Sequence, residues 1–357
     1  MTAFATRPID NAEHFAERWA AAVAGRDVGP FLSATWILGR LRTAPAEAQP
    51  FAIYKDEQPV GLYFQRRDAG ASLYLYETGD RDADAVYPED VDLLTDEADR
   101  VAAVGLLFAG KPSKVRIRAA VEGLVAAAEQ AADEAGYFVR VLDRKESYVI
   151  DLEAVRAGGG DVLSGLSSGA RQQIRRSERL LAGDGAVTFR RAETQAEEKD
   201  AWEKLAELHD AAHAERTGGA FGNEKFLAFH AALRENARAR PEWGLDYALE
   251  TVSANGEAVG VLYQLLWRGT VFNYQTGFKP FDDNRIKRGL LAHVLSAEAQ
   301  LAAGGKAYDL LAGEGGYKSR LASPTRRLAS LEFERKTIGA TGRRIARMAK
   351  RWIEKHN

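Results

Sequence analysis

Apolar and polar residues alternate on either side of the polar turn Lys55-Asp56-Glu57. That period of two predicts a strand, a tight turn and a second strand, Gln58-Pro59-Val60-Gly61-Leu62-Tyr63-Phe64-Gln65. The same figure returns after Ala254-Asn255-Gly256 as Glu257-Ala258-Val259-Gly260-Val261-Leu262-Tyr263-Gln264, an offset of 199 from Gly61 to Gly260. The following strand returns as well: Tyr74-Leu75-Tyr76-Glu77-Thr78-Gly79 matches Phe272-Asn273-Tyr274-Gln275-Thr276-Gly277, offset 198. In a third pair, Arg116-Ile117-Arg118 is expected to open a helix that ends at Gly136 and leads into a strand over Tyr137–Leu142. Its counterpart, Arg285-Ile286-Lys287, is expected to open a helix ending near Gly305 and leading into Lys306–Leu311, offset 169. The smaller offset assigns an extra segment, roughly residues 80–110, to the first copy. Three matches in one order indicate a duplication, each copy reading β-turn-β-β-helix-β.

Between the copies, Ser164–Leu181 reads as a helix behind a Ser/Gly-rich start, and Val187–Arg190 as a short strand. Residues 195–215 and 223–238 read as two helices with Thr217-Gly218-Gly219 between them, and Leu328–Glu334 as an extended run. The fold class is α/β, or α+β with mixed sheets. The expected divisions are 1–150, 151–337 and a terminal helix over 338–357.

The 357 residues, 46% apolar and 28% charged, suit a globular chain of about two domains. No cysteine is present, so disulfides, thiolate metal sites and a cysteine nucleophile are excluded, and a reducing compartment is the simpler expectation. Of six histidines only His209 and His213 fall on one helical face, without a carboxylate signature, so no metal is expected. No signal-peptide pattern and no run of about 18 apolar residues occurs, which predicts a cytoplasmic protein. The net charge of −2 conceals a tail, Lys318–Asn357, with twelve Lys/Arg against three Glu. Its last turns place Ile345, Met348, Trp352 and Ile353 at helical spacing among Arg343, Arg344, Arg347, Lys350, Arg351 and Lys355. Such a helix suits an anionic membrane surface through residues 340–357, or docks on the acidic body. That acidic body argues against DNA as a partner.

Three stretches resemble the CelD/BioF2-like branch of the GNAT acyltransferase superfamily, close to the FemAB-type aminoacyltransferases. They are LSSGARQQIRRSERLL (166–181), YQTGFKPFDDNRIKRGLLAHVL (274–295) and YDLLAGEGGYKSRL (308–321). The resemblance covers about residues 145–335; the first half matches weakly, near Phe31–Trp36. It implies tandem GNAT-like, FemAB-like domains, the first degenerate, followed by the amphipathic helix. The chain departs from the family where Lys287-Arg288-Gly289 replaces Ser-Pro-Gly, and Ile286 occupies the first position of the usual pyrophosphate motif.

Acyl transfer from a thioester needs phosphate binding, carbonyl polarisation and proton removal. A helix start offers unpaired N–H groups and a favourable dipole to phosphates. Gly289 allows close approach, Leu290 contributes its N–H, and Arg285, Lys287 and Arg288 supply charge. Ala120 stands where the first copy would need Gly289, which places donor binding in the second copy. The strand Phe272–Gly277, Gln275 included, is expected to splay and present N–H groups to the thioester carbonyl, as the resemblance implies. Glu314, in a Gly-rich loop after a strand, is the candidate base. Tyr317, with Tyr274 as an alternative, is the candidate acid for the leaving thiolate, and Lys318 a candidate for an oxyanion or phosphate. Arg175 and Arg179, with Arg171 on the same helical face, are candidates for an anionic acceptor; Glu215 and Arg216 are candidates for the edge of its site.

The resulting expectation is an N-acyltransferase using acetyl-CoA or a longer acyl-CoA as co-substrate, with no permanent cofactor. The resemblance implies an amine on an envelope or exopolysaccharide amino sugar, small or lipid-linked, at the inner face of a membrane. Long-chain acylation of a sphingoid-type amine, as in bacterial ceramide synthases, is a second reading, and aminoacyl transfer from tRNA a third. A non-catalytic cyclic di-GMP effector is an alternative of another class.

Overall fold

A computed structural model of the chain describes residues 3–43, 48–212, 220–313 and 316–342. In chain order the first elements are β1 (Phe4–Pro8), α1 (Ala12–Val23), α2 (Ala34–Thr43), β2 (Gln49–Lys55), β3 (Gln58–Arg67), β4 (Ser72–Leu75) and β5 (Leu94–Thr95). Then come α3 (Arg100–Ala109), β6 (Lys114–Val121), α4 (Glu122–Glu134), β7 (Tyr137–Asp151), α5 (Leu152–Ala157), α6 (Ser168–Ala182) and β8 (Val187–Arg191). The last are α7 (Gln195–Ala212), α8 (Glu224–Ala239), β9 (Leu245–Ala254), β10 (Glu257–Trp267), β11 (Thr270–Phe278), α9 (Arg288–Ala302), β12 (Ala307–Gly313) and β13 (Ser323–Arg335).

The chain forms two compact units. Among the described residues, the first takes in 3–27, 48–144 and 328–342; the second takes in 28–43 and those of 145–327. Their make-up differs from a simple cut near residue 150. Phe31 and Trp36, the weakly matching stretch of the first half, pack in the second unit, where Trp36 meets Phe229 at 4.7 Å between ring centroids. The long strands β7 and β13 each begin in one unit and end in the other.

In the first unit β1, β2, β3 and β4 pair antiparallel in that order, β4 pairs β6 in parallel, and β6 pairs antiparallel with Leu328–Glu334 of β13. Its core holds Phe15, Trp19, Phe64, Leu107, Phe108 and Phe333. In the second unit β8, β9, β10 and β11 pair antiparallel, β11 pairs β12 in parallel, and β12 pairs antiparallel with Glu146–Asp151 of β7. A buried apolar cluster fills the space between this sheet and helices α6 and α9, including Leu262, Val271, Ile174, Leu290 and Val294.

Each unit thus holds an antiparallel meander, a helical crossover and a parallel strand. The third sequence match is corrected in its detail. Arg116-Ile117-Arg118 lies inside strand β6, with Val115 and Ile117 buried and Arg116 and Arg118, which alternate with them, on the other face. The period of two wins there over the helix that follows. By topology β4 and β6 correspond to β11 and β12, since each parallel pair has three rungs: Ser72↔Lys114 to Tyr74↔Arg116, and Thr270↔Ala307 to Phe272↔Asp309. The counterpart of α9 is therefore α3, which lies within the segment expected to be an insertion, and Ala120 is not the counterpart of Gly289.

The copies differ beyond the third rung. In the first unit the place past the end of β4 is taken by residues 91–95. β5 pairs there with Gly61 and Leu62 of β3, while Val91 N–H donates to Ala119 at 3.0 Å and Val121 N–H to Val91 at 3.0 Å. Asp84 holds the approach to this segment, accepting the N–H groups of Thr78 and Gly79, each at 2.8 Å. In the second unit no pairing between β11 and β12 is found beyond Phe272↔Asp309 among the described residues, although β11 runs on to Phe278.

Candidate active site

The opening between β11 and β12 follows from a local irregularity. Across β10, Tyr263 faces Gln275 but Gln264 faces Asn273, so Tyr274 is the extra residue of a β-bulge. A bulge bends its strand and re-aims the side chains that follow. After it, Gly277 packs directly under α7, where a Cβ would lie 2.7 Å from the carbonyl oxygen of Leu205. On the other strand Leu311 takes a positive φ of 61°. Lys318 braces that strand end, its ammonium donating to the carbonyls of Leu311 at 3.1 Å and Ala312 at 2.8 Å.

Helix α9 starts beside this opening. Its N-cap residue is Lys287, no side chain caps its first N–H groups, and no acid occupies its first turn. The dipole and the free amides therefore attract an anion. Arg288, in the first turn, has a buried Nε without a hydrogen-bond partner. Its burial pulls the guanidinium below its ordinary pKa, which expresses the cost of a desolvated charge. Arg285 instead is neutralised by Asp283 at 2.8 Å, and this pairing holds the Asp283 carboxyl at about 2. Gly289 has room: a Cβ would meet only the Phe278 ring, 3.5 Å away. Leu290 is a core side chain, so its backbone alone is free for a ligand. The start of α3 in the first unit is of the opposite character, for its N-cap Asp99 pairs with Lys55 at 2.7 Å and Glu97 stands close by.

A buried polar chain runs between α9 and the sheet, and no motif or spacing announces it. Arg191 donates to Glu250 at 2.7 Å, and the Gln264 amide nitrogen lies within 3.3 Å of Glu250, 3.2 Å of Ser296 and 3.0 Å of the Tyr308 oxygen. Tyr308 in turn lies 3.1 Å from His293 Nδ1. His293 is fully buried, with Tyr317 stacked on it at 5.3 Å and Phe278 edge-on at 6.1 Å. Burial first, then the Lys318 charge, lowers His293 to about 3, so the ring is neutral. A histidine inside the apolar stripe Leu290–Val294 carries no sequence signal beyond its position one turn after Gly289.

The remaining expected residues that are described do not all face the opening. Tyr274 is half-buried and turns to the opposite face, its hydroxyl 3.3 Å from His230 and its ring near Trp36 and Tyr263. Gln275 is half-buried on β11. Tyr317 is 39% exposed, and desolvation raises its phenol to about 12. Arg175 and Arg179 are exposed on α6, and Arg171 is spent on the carbonyls of Ser164 and Leu166. Arg176, half-buried on the same helix, contributes to the low Asp283 pKa and so lies nearer the start of α9. Glu314, Glu215, Arg216 and the tail from Arg343 lie outside the described residues, although 338–342 are helical. Among the described residues no group of three acidic or histidine side chains could hold a metal, and no helix is long and apolar enough to cross a membrane.

This meander, crossover helix and parallel pair, built twice and opened in the second copy, have the form of a tandem GNAT fold. Residues 168–319 match the family model described as an acetyltransferase (GNAT) domain. Among solved structures, FemX is similar with a TM-score of 0.57 and 10% identity, over 96% of this chain and 99% of that one. A tandem GNAT protein from the clavulanic acid biosynthesis pathway gives 0.53 and 13%, over 94% and 99%. L-PGS from Bacillus licheniformis gives 0.50 and 13%, over 91% and 94%. At such identities the likeness is one of fold. No curated protein matches the chain. The second copy matches a GNAT domain over residues 168–319, and the chain as a whole has the FemAB-like tandem form of the GNAT fold.

Proposed function

We propose that the chain is an N-acyltransferase whose second copy binds an acyl-CoA, with the pyrophosphate at the start of α9 and the thioester between β11 and β12. One contrast carries this reading. The second copy joins an uncapped, cationic helix start to an open strand pair, while the first copy fills the same place with residues 91–95 and puts acids at its helix start. Arg288, Lys287 and the N–H groups of Gly289 and Leu290 hold phosphate. Free N–H groups of β11 polarise the thioester carbonyl. An amine attacks that carbon, the C–S bond breaks, the amine loses a proton and the thiolate gains one. Tyr317 stays protonated to about pH 12 and is the proposed donor of that proton; Glu314 is the proposed base.

The acceptor we propose is the amine of an envelope or exopolysaccharide amino sugar, free or lipid-linked, in keeping with the resemblance. The test is a thermal-shift screen with acetyl-CoA, palmitoyl-CoA, UDP-amino sugars and cyclic di-GMP, followed by a free-thiol assay with donor and acceptor together. A ligand stabilises the fold in proportion to its preference for it. Acyl-CoA should raise the melting temperature and release thiol with an amino-sugar acceptor. A shift with cyclic di-GMP and no thiol release overturns the enzymatic reading.

A further inference from the structure

We propose that His293 binds the donor directly, its Nε2–H donating a hydrogen bond to a carbonyl oxygen of the pantetheine arm of the acyl-CoA. This deepens the reading above and rests on it.

The argument begins with proton placement. The Gln264 amide nitrogen faces the Glu250 carboxylate, which only accepts, so this end of the side chain is the NH2 group. An NH2 group only donates, so at 3.0 Å the Tyr308 oxygen accepts from it. Tyr308 then has its own proton for His293 Nδ1 at 3.1 Å. A neutral imidazole that accepts at Nδ1 carries its proton at Nε2. That Nε2 is buried and has no hydrogen-bond partner among the described residues.

A buried donor without an acceptor is costly, and the cost persists where a ligand or an ordered water relieves it. The ring lies at the inner end of the opening, edge-on to Phe278 of β11 and bonded to Tyr308, which pairs with Val271 one rung before β11 and β12 part. Tyr317 covers one flat face, and Lys318 is the charged neighbour. His293 lies four residues past Gly289, on the same face of α9 and about 6 Å along its axis. A donor whose pyrophosphate sits at the helix start carries its first amide carbonyl a comparable distance further on. An imidazole that stays neutral is a fixed dipole there and brings no charge that must be desolvated.

The test is calorimetric titration with CoA and with 3′,5′-ADP, which keeps the 3′-phosphate and the first phosphate of the pyrophosphate and lacks the pantetheine arm. His293→Phe removes the donor; His293→Gln keeps an N–H. His293→Phe should weaken CoA about tenfold, the worth of one buried hydrogen bond. His293→Gln should recover most of that loss, and 3′,5′-ADP should bind the parent and both variants alike. Unchanged CoA binding in His293→Phe overturns the inference, water then being the partner. An equal loss for 3′,5′-ADP overturns it too, because the substitution then acts through the helix start. A parent that binds neither compound sinks the donor reading itself, and the inference with it. Should His293→Phe not fold, nitrogen-15 spectra of the parent decide: CoA must move the His293 Nε2 resonance, and a resonance that stays put overturns the inference.

Discussion

The backbone N–H of Lys287 donates to the hydroxyl oxygen of Ser177 across 2.7 Å, so the residue that caps α9 is held by α6. The same oxygen lies 3.2 Å from the Arg285 carbonyl and 2.8 Å from that of Gln173, within reach of its proton. Ser177 is fully buried. Ser177→Ala leaves the Lys287 N–H without its acceptor, which costs about 1–3 kcal/mol. The variant should melt a few degrees lower and bind CoA more weakly, because the phosphate-facing amides lose their fixed direction. Melting curves with and without CoA check both effects; a variant that melts lower yet binds CoA as the parent does would detach this contact from the donor site.

Two glycines near each other in sequence should respond in opposite ways. Gly277→Ala places a Cβ 2.7 Å from the Leu205 carbonyl and 3.0 Å from the His209 nitrogen, against helix backbone that cannot yield cheaply. It should destabilise by about 1–3 kcal/mol. Gly289→Ala meets only the Phe278 ring at 3.5 Å and should fold as the parent does. Gly289→Glu puts a carboxylate where we place phosphate, and should abolish the CoA-induced thermal shift while the unliganded protein melts near the parent. If that variant still responds to CoA, the phosphates bind elsewhere.

The two meanders were legible because each strand alternates and each turn carries Asp, Asn or Gly, all of them local signals. The crossover of the first copy was not. α3 is ten residues of nearly unbroken apolar character, Arg-Val-Ala-Ala-Val-Gly-Leu-Leu-Phe-Ala, and offers no amphipathic period to count. α4, with a regular small-residue stripe, resembles α9 more closely by pattern. At the site, the helix start Lys287-Arg288-Gly289 could be read because charge and glycine at a helix opening have a direct physical meaning. Which cation is free could not, since Asp283 neutralises Arg285 through a loop geometry that spacing does not reveal. His293, Tyr308, Gln264 and Glu250 are distant in sequence and meet only through the fold.

The Asp283–Arg285 pair gives a prediction of gain. Asp283 binds the guanidinium through both oxygens, at 2.9 and 2.8 Å, and also accepts the Arg285 N–H at 2.8 Å. Asp283→Ala removes a negative charge near the start of α9 and frees a cation. CoA affinity should rise severalfold at low ionic strength, and the gain should fade with added salt, as exposed charges are screened within about 10 Å at 0.1 M. Titration of CoA at two salt concentrations checks this. A gain that survives high salt, or a loss, would show that Asp283 serves the loop's shape and not its charge.

The pH dependence of stability follows from His230 and His293. Both are fully buried, and burial lowers both pKa values, His293 to about 3 and His230 well below 6.5. Arg234 adds to the shift at His230, whose ring nitrogens face the hydroxyls of Tyr263 and Tyr274; Lys318 adds to it at His293 beside Tyr308 and Tyr317. On acidification the unfolded chain takes up these protons first, near pH 6.5, while the folded chain refuses them. Stability therefore falls as pH drops below about 6.5, by up to about 1.4 kcal/mol per pH unit for each group. For His293 the fall continues until pH reaches about 3. Asp283, whose pKa is lowered to about 2, begins to matter only below its ordinary value of 3.8. Urea unfolding between pH 7 and 5 thus reports mainly the histidines, and His293→Gln should flatten the slope over that interval. CoA affinity should show no histidine titration between pH 5 and 8, because the His293 donor is neutral throughout. The 3′-phosphate of CoA titrates at about 6 in parent and variant alike. A parent equally stable at pH 7 and pH 5, or a titration of CoA affinity near 6.5 that His293→Gln removes, would mean that water reaches His293 and that its proton is not fixed by Tyr308.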